Sequence, residues 1–261
     1  MGSFSVPTKL FLHTGVAWYP IGGFSFDMYK SVFQNPDVLT GYANTIFYAA
    51  AGTLLSLFIN AMAAYTLCRQ RMWNNAFITF MMLPMFFGGG LIPTFLLMKN
   101  LKLLDTPFAI WIPGLISVYN SLIIRSYFMN SIPGELREAA TLDGAGQGSY
   151  LLKIVLPLSK PVFAVVGLYY AVAYWNNYTK GLYYIYDRDL MPLQNILRDI
   201  LTSTRMVTDL AEDPEAAKLA YETAQSMKYG VIIVAALPMM ILYPFIQKHF
   251  VKGVMVGAVK G

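Results

Sequence analysis

Residues 137–161 read REAATLDGAGQGSYLLKIVLPLSKP, a stretch with charged side chains, three closely spaced glycines and two prolines set between two long apolar runs. Two readings compete for it. The Gly144-x-Gly146-x-Gly148 pattern invites comparison with a phosphate-cradling loop, whereas the apolar flanks suit a polar knob that a membrane protein presents to a soluble partner. The rest of the chain decides between them.

Of the 261 residues, 56 % are hydrophobic and only 13 % charged, against about 25 % charged in soluble domains. Mean hydropathy is +0.49. The chain is therefore expected to be an all-α integral membrane protein, a polytopic helical bundle. Apolar windows of roughly 20 residues, enough to cross the hydrocarbon layer as helix, occur at 41–68, 74–98, 107–129, 161–181 and 227–250, which gives five spans. The single cysteine, Cys68, excludes an intrachain disulfide and a cysteine-built metal centre, and His13 and His249 form no spacing motif. No bound metal is expected. The net charge of +5 comes without a basic run, so it does not point to nucleic acid; scattered Lys and Arg in such a chain report topology.

Arg69, Arg71, Arg125, Arg137, Lys153 and Lys160, with Lys248, Lys252 and Lys260 in the tail, assign the connection after the first window, the 131–160 loop and residues 251–261 to the cytoplasm. The alternate segments, 1–40, 99–106 and the outer loop 182–226, dilute their cations with acidic residues and are expected outside. The transmembrane domain then covers 41–250, after an extracytoplasmic segment 1–40. Five spans with a cytoplasmic end place the start outside, yet 1–40 holds neither a span nor a signal-peptide pattern. The expectation is that a first helix precedes this start.

Inside the second window, Pro84, Gly88, Gly89, Gly90 and Pro93 must interrupt the hydrogen-bond ladder at membrane depth. Such a break survives only where protein covers the backbone or where it lines a cavity. It is either a kink for close packing or a flexing point beside a substrate path. In the outer loop, Leu193, Ile196, Leu197 and Ile200 recur at helical spacing, which predicts a surface helix.

In the opening stretch, Ser131 is placed to cap a helix through Glu135–Leu142, with Pro133 in its first turn and Gly144 as its C′ stop. Leu136, Ala139, Ala140 and Asp143 would share one face, where alanines permit close approach. A second short helix through Tyr150, Leu151, Ile154 and Val155 would end near Pro157 and Pro161. The phosphate-loop reading lacks both the preceding strand of a dinucleotide fingerprint and the Gly-Lys-Ser/Thr of a P-loop. Two short helices on an elbow make a cytoplasmic knob.

The spacing Glu138-Ala139-Ala140, three residues, Gly144, nine residues, Ile154, one residue, Leu156-Pro157 resembles the signature (EAA) loop of membrane subunits of bacterial ATP-binding-cassette (ABC) importers. The likeness is greatest to the carbohydrate-uptake, maltose-type branch and its oligosaccharide-importing relatives. It extends through LPLSKPVFAVVGLYYAVAYWNNY, GGGLIPTFLL and the ending FVKGVMVGAVKG. The resemblance implies that a first helix usual in that group precedes this start. The resemblance implies a non-catalytic permease subunit of the bacterial cytoplasmic (inner) membrane that works by alternating access. Glu138 and Gly144 would be the chief ATPase-coupling residues, supported by Ala139, Ala140, Asp143, Ile154, Leu156 and Pro157. It implies a second homologous permease, two ATPase subunits carrying ATP and Mg, and an extracytoplasmic solute-binding protein. No cofactor is expected on this chain. The tail from Lys252 to Gly261 would either reach the ATPase pair or lie at anionic lipid.

For the substrate path, polar and aromatic groups within the spans are the candidates: Tyr119, Asn120 and Ser121, then Tyr170, Tyr174, Trp175, Asn176 and Asn177. Aromatic faces with amides suit sugar rings, although Tyr and Trp also collect at membrane interfaces. Asn120 and Asn176 stand out, because an amide at membrane depth needs a partner or water. Arg125 would either snorkel or favour an acidic, uronate-containing sugar. A permease for a non-sugar solute remains an alternative. An ion-gradient-driven transporter is disfavoured by the lack of carboxylates in the spans.

Overall fold

A computed structural model describes residues 27–68, 74–209 and 230–241, and every regular element among them is helical. Arg69, Arg71, His13, His249, residues 210–226 of the outer loop, both ends of the fifth window and the tail 251–261 lie outside the described residues. In chain order the helices are α1 (Asp27–Gln34), α2 (Pro36–Leu67), α3 (Asn74–Phe86), α4 (Leu91–Asn100), α5 (Pro107–Gly114), α6 (Val118–Ser131), α7 (Glu135–Leu142), α8 (Gln147–Leu158), α9 (Lys160–Trp175), α10 (Tyr178–Tyr184), α11 (Leu193–Asp209) and α12 (Gly230–Ile241).

Among the described residues, α2 is the one unbroken helix long and apolar enough to cross a membrane. Three bent pairs, α3 with α4, α5 with α6 and α8 with α9, bring the number of crossings to four if each pair is one span. The expected windows are thus more interrupted than their composition suggested. The break in the second window is real: α3 and α4 meet at 108° across Gly88–Gly90, and Gly90 carries φ +84°, a left-handed conformation that costs other residues steric strain. Pro84 stays inside α3, and Pro93 occupies the first turn of α4, where the missing N–H has no intrahelical role. The glycines, and not the prolines, make the break.

Three boundaries correct the sequence expectation. The third window is not continuous: α5 ends in a 3₁₀ turn through Ile112–Gly114 and meets α6 at 60°. The fourth stops at Trp175, not 181. The first begins at Pro36, after the short helix α1.

The chain divides into two compact units, the described parts of Met1–Ile46 with Asn177–Ile241, and of Phe47–Asn176 with Leu242–Gly261. In the first, the expected apolar stripe of α11 is in place, with Leu193, Ile196, Leu197 and Ile200 all buried. They lie on the opening turns of α2, where a Cβ on Gly41 would come within 2.6 Å of Ile196 Cδ1. The Leu193 N–H, an orphan donor at a helix start, donates to Thr45 Oγ1 at 2.8 Å. Asn44 Nδ2 donates to Asp189 O and Met191 O at 2.7 and 3.2 Å, and Tyr42 donates to Val234 O.

In the second unit, α2, α5 and α9 close up through small residues. A Cβ on Gly52 would stand 2.8 Å from Trp111 Cδ1 and 2.9 Å from Tyr174 Cε2, and one on Gly167 3.3 Å from Leu57. Trp111 Nε1 donates to Tyr48 O at 3.1 Å. Small residues that let apolar helices approach are the usual device where no hydrophobic drive exists between helices in lipid.

Candidate functional site

Helix α7 has the expected bounds, Glu135–Leu142, but a different start. Ser131 is the last residue of α6, and Gly134 is the N-cap, with no side chain capping the turn. Glu135 and Glu138 in the opening turn place negative charge at the positive end of the helix dipole. The C-terminal end follows the sequence reading closely. Gly144 N donates to Thr141 O at 3.1 Å and Ala145 N to Ala140 O at 2.8 Å, the paired bonds of a Schellman closure, with Gly144 at φ +72°. A Cβ there would meet nothing within 4 Å. Glycine is required by the backbone turn and not by crowding within this chain.

The helix is almost wholly open to its surroundings. Ala140 is buried, so it faces the unit's own interior and not the expected docking surface, while Glu138, Ala139, Asp143 and Gly144 are exposed. Leu142, one turn beyond Glu138, is 89 % exposed. The sequence reading passed over Leu142, although its i, i+4 relation to Glu138 places the two on one face. Leu142 and Glu138 thus put an apolar side chain and a carboxylate together on that open face.

Helix α8 contains a π-type turn at Leu151–Val155 just ahead of Pro157. Pro157 has no N–H to give and its ring crowds the preceding turn, so the widened turn accommodates it. Ile154 and Leu156 are half-buried and Pro157 is exposed. Behind α7 lies a cavity of about 610 Å³ lined by residues that include Tyr65, Cys68, Phe128, Arg137 and Tyr150.

The base of the loop is held to the spans. Arg125 Nε donates to Leu67 O at 3.0 Å and Cys68 Sγ to Arg125 O at 3.6 Å. The rings of Phe128 and Phe163 pack edge to face at 6.2 Å between α6 and α9. Tyr65 OH lies 3.3 Å from Gln147 Oε1. Arg125 thus serves the backbone end of α2, a role neither sequence alternative anticipated.

The expected path residues do not gather on one open face. Tyr119 and Asn176 are exposed, whereas Asn120, Tyr170, Tyr174, Trp175 and Asn177 are buried. Tyr174 OH and Ser56 Oγ are 2.9 Å apart, and Tyr170 OH accepts from Ser117 N at 3.1 Å. Asn177 Nδ2 is buried with no hydrogen-bond partner. Asn60 was missed altogether. It is a fully buried amide in the first window, and the rule that singled out Asn120 and Asn176 applies to it equally.

A family model described as "Binding-protein-dependent transport system inner membrane component" matches residues 68–256. The chain belongs to this family. It is 38 % identical over 91 % of its length to the polygalacturonan/rhamnogalacturonan transport system permease protein YtcP of Bacillus subtilis, covering 82 % of that protein. It is 39 % identical, again over 91 %, to Protein LplC of the same organism, covering 80 % of it. Among solved structures it resembles a chain of a bacterial ABC transporter involved in import of the acidic polysaccharide alginate, with TM-score 0.79 and 32 % identity, over 95 % of this chain and 87 % of that one. As a permease of this family it is an inner-membrane transport subunit and not an enzyme, and hydrolysis of ATP belongs to separate subunits.

Proposed function

We propose that the chain is the membrane-spanning permease of an ATP-driven sugar importer that moves an oligosaccharide across the cytoplasmic membrane by alternating access. The observation that carries this reading is the exposed, Schellman-closed helix α7, with Glu138 and Leu142 on one open face, in a chain of this family. Energy must arrive from outside the chain, and α7 is the element built to receive it. In this reading loop 131–160 docks on an ATPase subunit, with Glu138 offering a carboxylate to a cationic or N–H partner, Leu142 filling an apolar pocket and Gly144 turning the chain away.

The partners are a second, homologous permease, two ATPase subunits that hold ATP and Mg, and an extracytoplasmic solute-binding protein. The second permease is supported by the Gly88–Gly90 break, which has open space on its Cβ side, and by the exposed Phe86, Phe87 and Ile92 around it. Lipid cannot satisfy a broken backbone, so another protein surface or the water of the path must; the break is then the flexing point next to the route. Asn120, Tyr170, Tyr174, Trp175, Asn176, Asn177 and Tyr119 remain candidates for the route. An acidic, uronate-containing oligosaccharide is supported by two relatives, one named for polygalacturonan and one for alginate.

Purification in mild detergent with its neighbours, followed by mass identification and an ATPase assay, tests the reading. A second permease and an ATPase should copurify, and hydrolysis should rise when a binding protein loaded with a galacturonate oligomer is added. A chain that comes out alone, with no associated ATPase, overturns it.

A further inference from the structure

The break at residues 115–117 lies in the middle of an apolar window, where the backbone groups freed by the interruption cannot turn to water. The carboxamide of Asn60, on α2, takes them over. Its Nδ2 donates to Leu115 O at 2.9 Å and to Ser56 O at 2.6 Å. Its Oδ1 accepts from Ser117 N at 3.2 Å and from Ser121 Oγ at 2.7 Å. All four hydrogen-bonding sites of one amide side chain are thus in use, and Asn60, Ser56 and Ser121 are each completely buried. Tyr170 from α9 seals the other side, accepting from Ser117 N at 3.1 Å and donating to Leu115 O at 3.5 Å. Ser56 and Tyr174 repeat the link between α2 and α9 one turn away.

The position of this knot relative to the loop matters. Ser121 is ten residues before the end of α6 at Ser131, and Tyr170 ten residues after the start of α9 at Lys160, so both stand about 15 Å along their helices from the loop they flank. The helix that enters the loop is therefore tied to α2 by the Asn60 side chain, and the helix that leaves it joins the same knot through Tyr170.

We propose that Asn60 is a positioning residue of the transport cycle: its carboxamide splices the broken third span and fastens it to α2 at the two backbone groups that Tyr170 of α9 also holds, so that displacement of the 131–160 loop moves the spans. This rests on the reading that the loop receives its motion from an ATPase. Without Asn60 the loop still meets the ATPase, but α6 and α9 give way at the break, and hydrolysis proceeds without matching movement in the membrane.

The test uses the whole importer reconstituted in liposomes, with its binding protein and a galacturonate oligomer, and reads ATP hydrolysed per sugar taken up. Asn60→Leu should raise that ratio about tenfold, by loss of uptake with hydrolysis retained, and Ser121→Ala, which removes one arm, about threefold, the range measured for single interhelical hydrogen bonds in membranes. Asn60→Asp, which keeps the acceptor and loses the donor, should fall between. Uptake and hydrolysis falling together, or an unchanged ratio, would overturn the proposal in favour of a merely structural amide. If Asn60→Leu fails to assemble, Asn60→Asp and Ser121→Ala decide by the same ratio. A wild-type assembly without ATP-dependent uptake would remove the importer reading itself and the role of Asn60 with it, whereas normal wild-type uptake with unaltered ratios in the variants removes the role of Asn60 alone.

Discussion

Helix α7 stands in the open with Ala140 its one buried residue, whereas the break between α5 and α6 is enclosed by Asn60, Ser121 and Tyr170. Both are interruptions of regular structure between apolar segments, and they are completed in opposite ways. The C-terminal end of α7 is closed by its own backbone at Gly144, without calling on a side chain from elsewhere. The break at 115–117 borrows the hydrogen bonds of Leu115 O and Ser117 N from helices distant in sequence. A segment that closes on itself can serve as a contact surface; one that needs its neighbours can serve as a joint.

The contrast predicts that substitutions in the open loop change function with the spans still folded, and substitutions where α2, α5 and α9 pack closely change stability first. The largest effect is expected from Gly144→Val. A β-branched residue in the left-handed region faces strain of at least ~1–2 kcal/mol, which dismantles the Schellman closure and re-aims Glu138 and Leu142. Uptake should be abolished while immunoblots show normal amounts in the membrane, and normal uptake by a well-inserted variant would break the comparison at its stronger side. Leu142→Ala comes next. Burial of a leucine at a partner contributes about 1.5–3 kcal/mol, so pull-down of the ATPase should weaken about tenfold or more with the thermal midpoint of the permease alone unmoved.

Smaller, and of the other kind, is Gly52→Ala in the closed region. The added methyl meets Trp111 and Tyr174 within 3 Å; overpacking of about 1–3 kcal/mol is offset by roughly 1 kcal/mol of helix propensity. Tryptophan fluorescence in nanodiscs should show a lowered midpoint, and a raised one would mean that α2, α5 and α9 are not packed as closely as described. The smallest effect is expected for Arg188→Ala in the other unit, where Arg188 Nε meets Asp37 Oδ2 at 2.7 Å with both side chains partly in solvent. Exposed pairs contribute about 0–1 kcal/mol, so neither uptake nor midpoint should move appreciably.

Much was legible without coordinates wherever the cause was local. The bounds of α7, the Gly144 stop, the break at Gly88–Gly90 and the buried stripe Leu193, Ile196, Leu197 and Ile200 each follow from residues within a few positions of one another. They express φ preferences and helical periodicity, which a reader of the chain can apply directly. Even so, Ser131 has the chemistry of a cap but ends the preceding helix, because α6 runs on to it.

The amino-acid sequence by itself determined that the chain is a helical membrane protein, that a short charged helix interrupts its apolar windows, and where that helix stops. The tertiary structure alone decided that the third window breaks at 115–117, that Ala140 faces inward and Leu142 outward, and that Asn60 has a task. Pro113 and Gly114 were visible in the chain, but proline and glycine only permit a break. Whether one persists in a medium without water depends on donors and acceptors brought from elsewhere. Here they come from Asn60, on a helix 55 positions before Leu115, and from Tyr170, 55 positions after it, a pairing that no local pattern encodes.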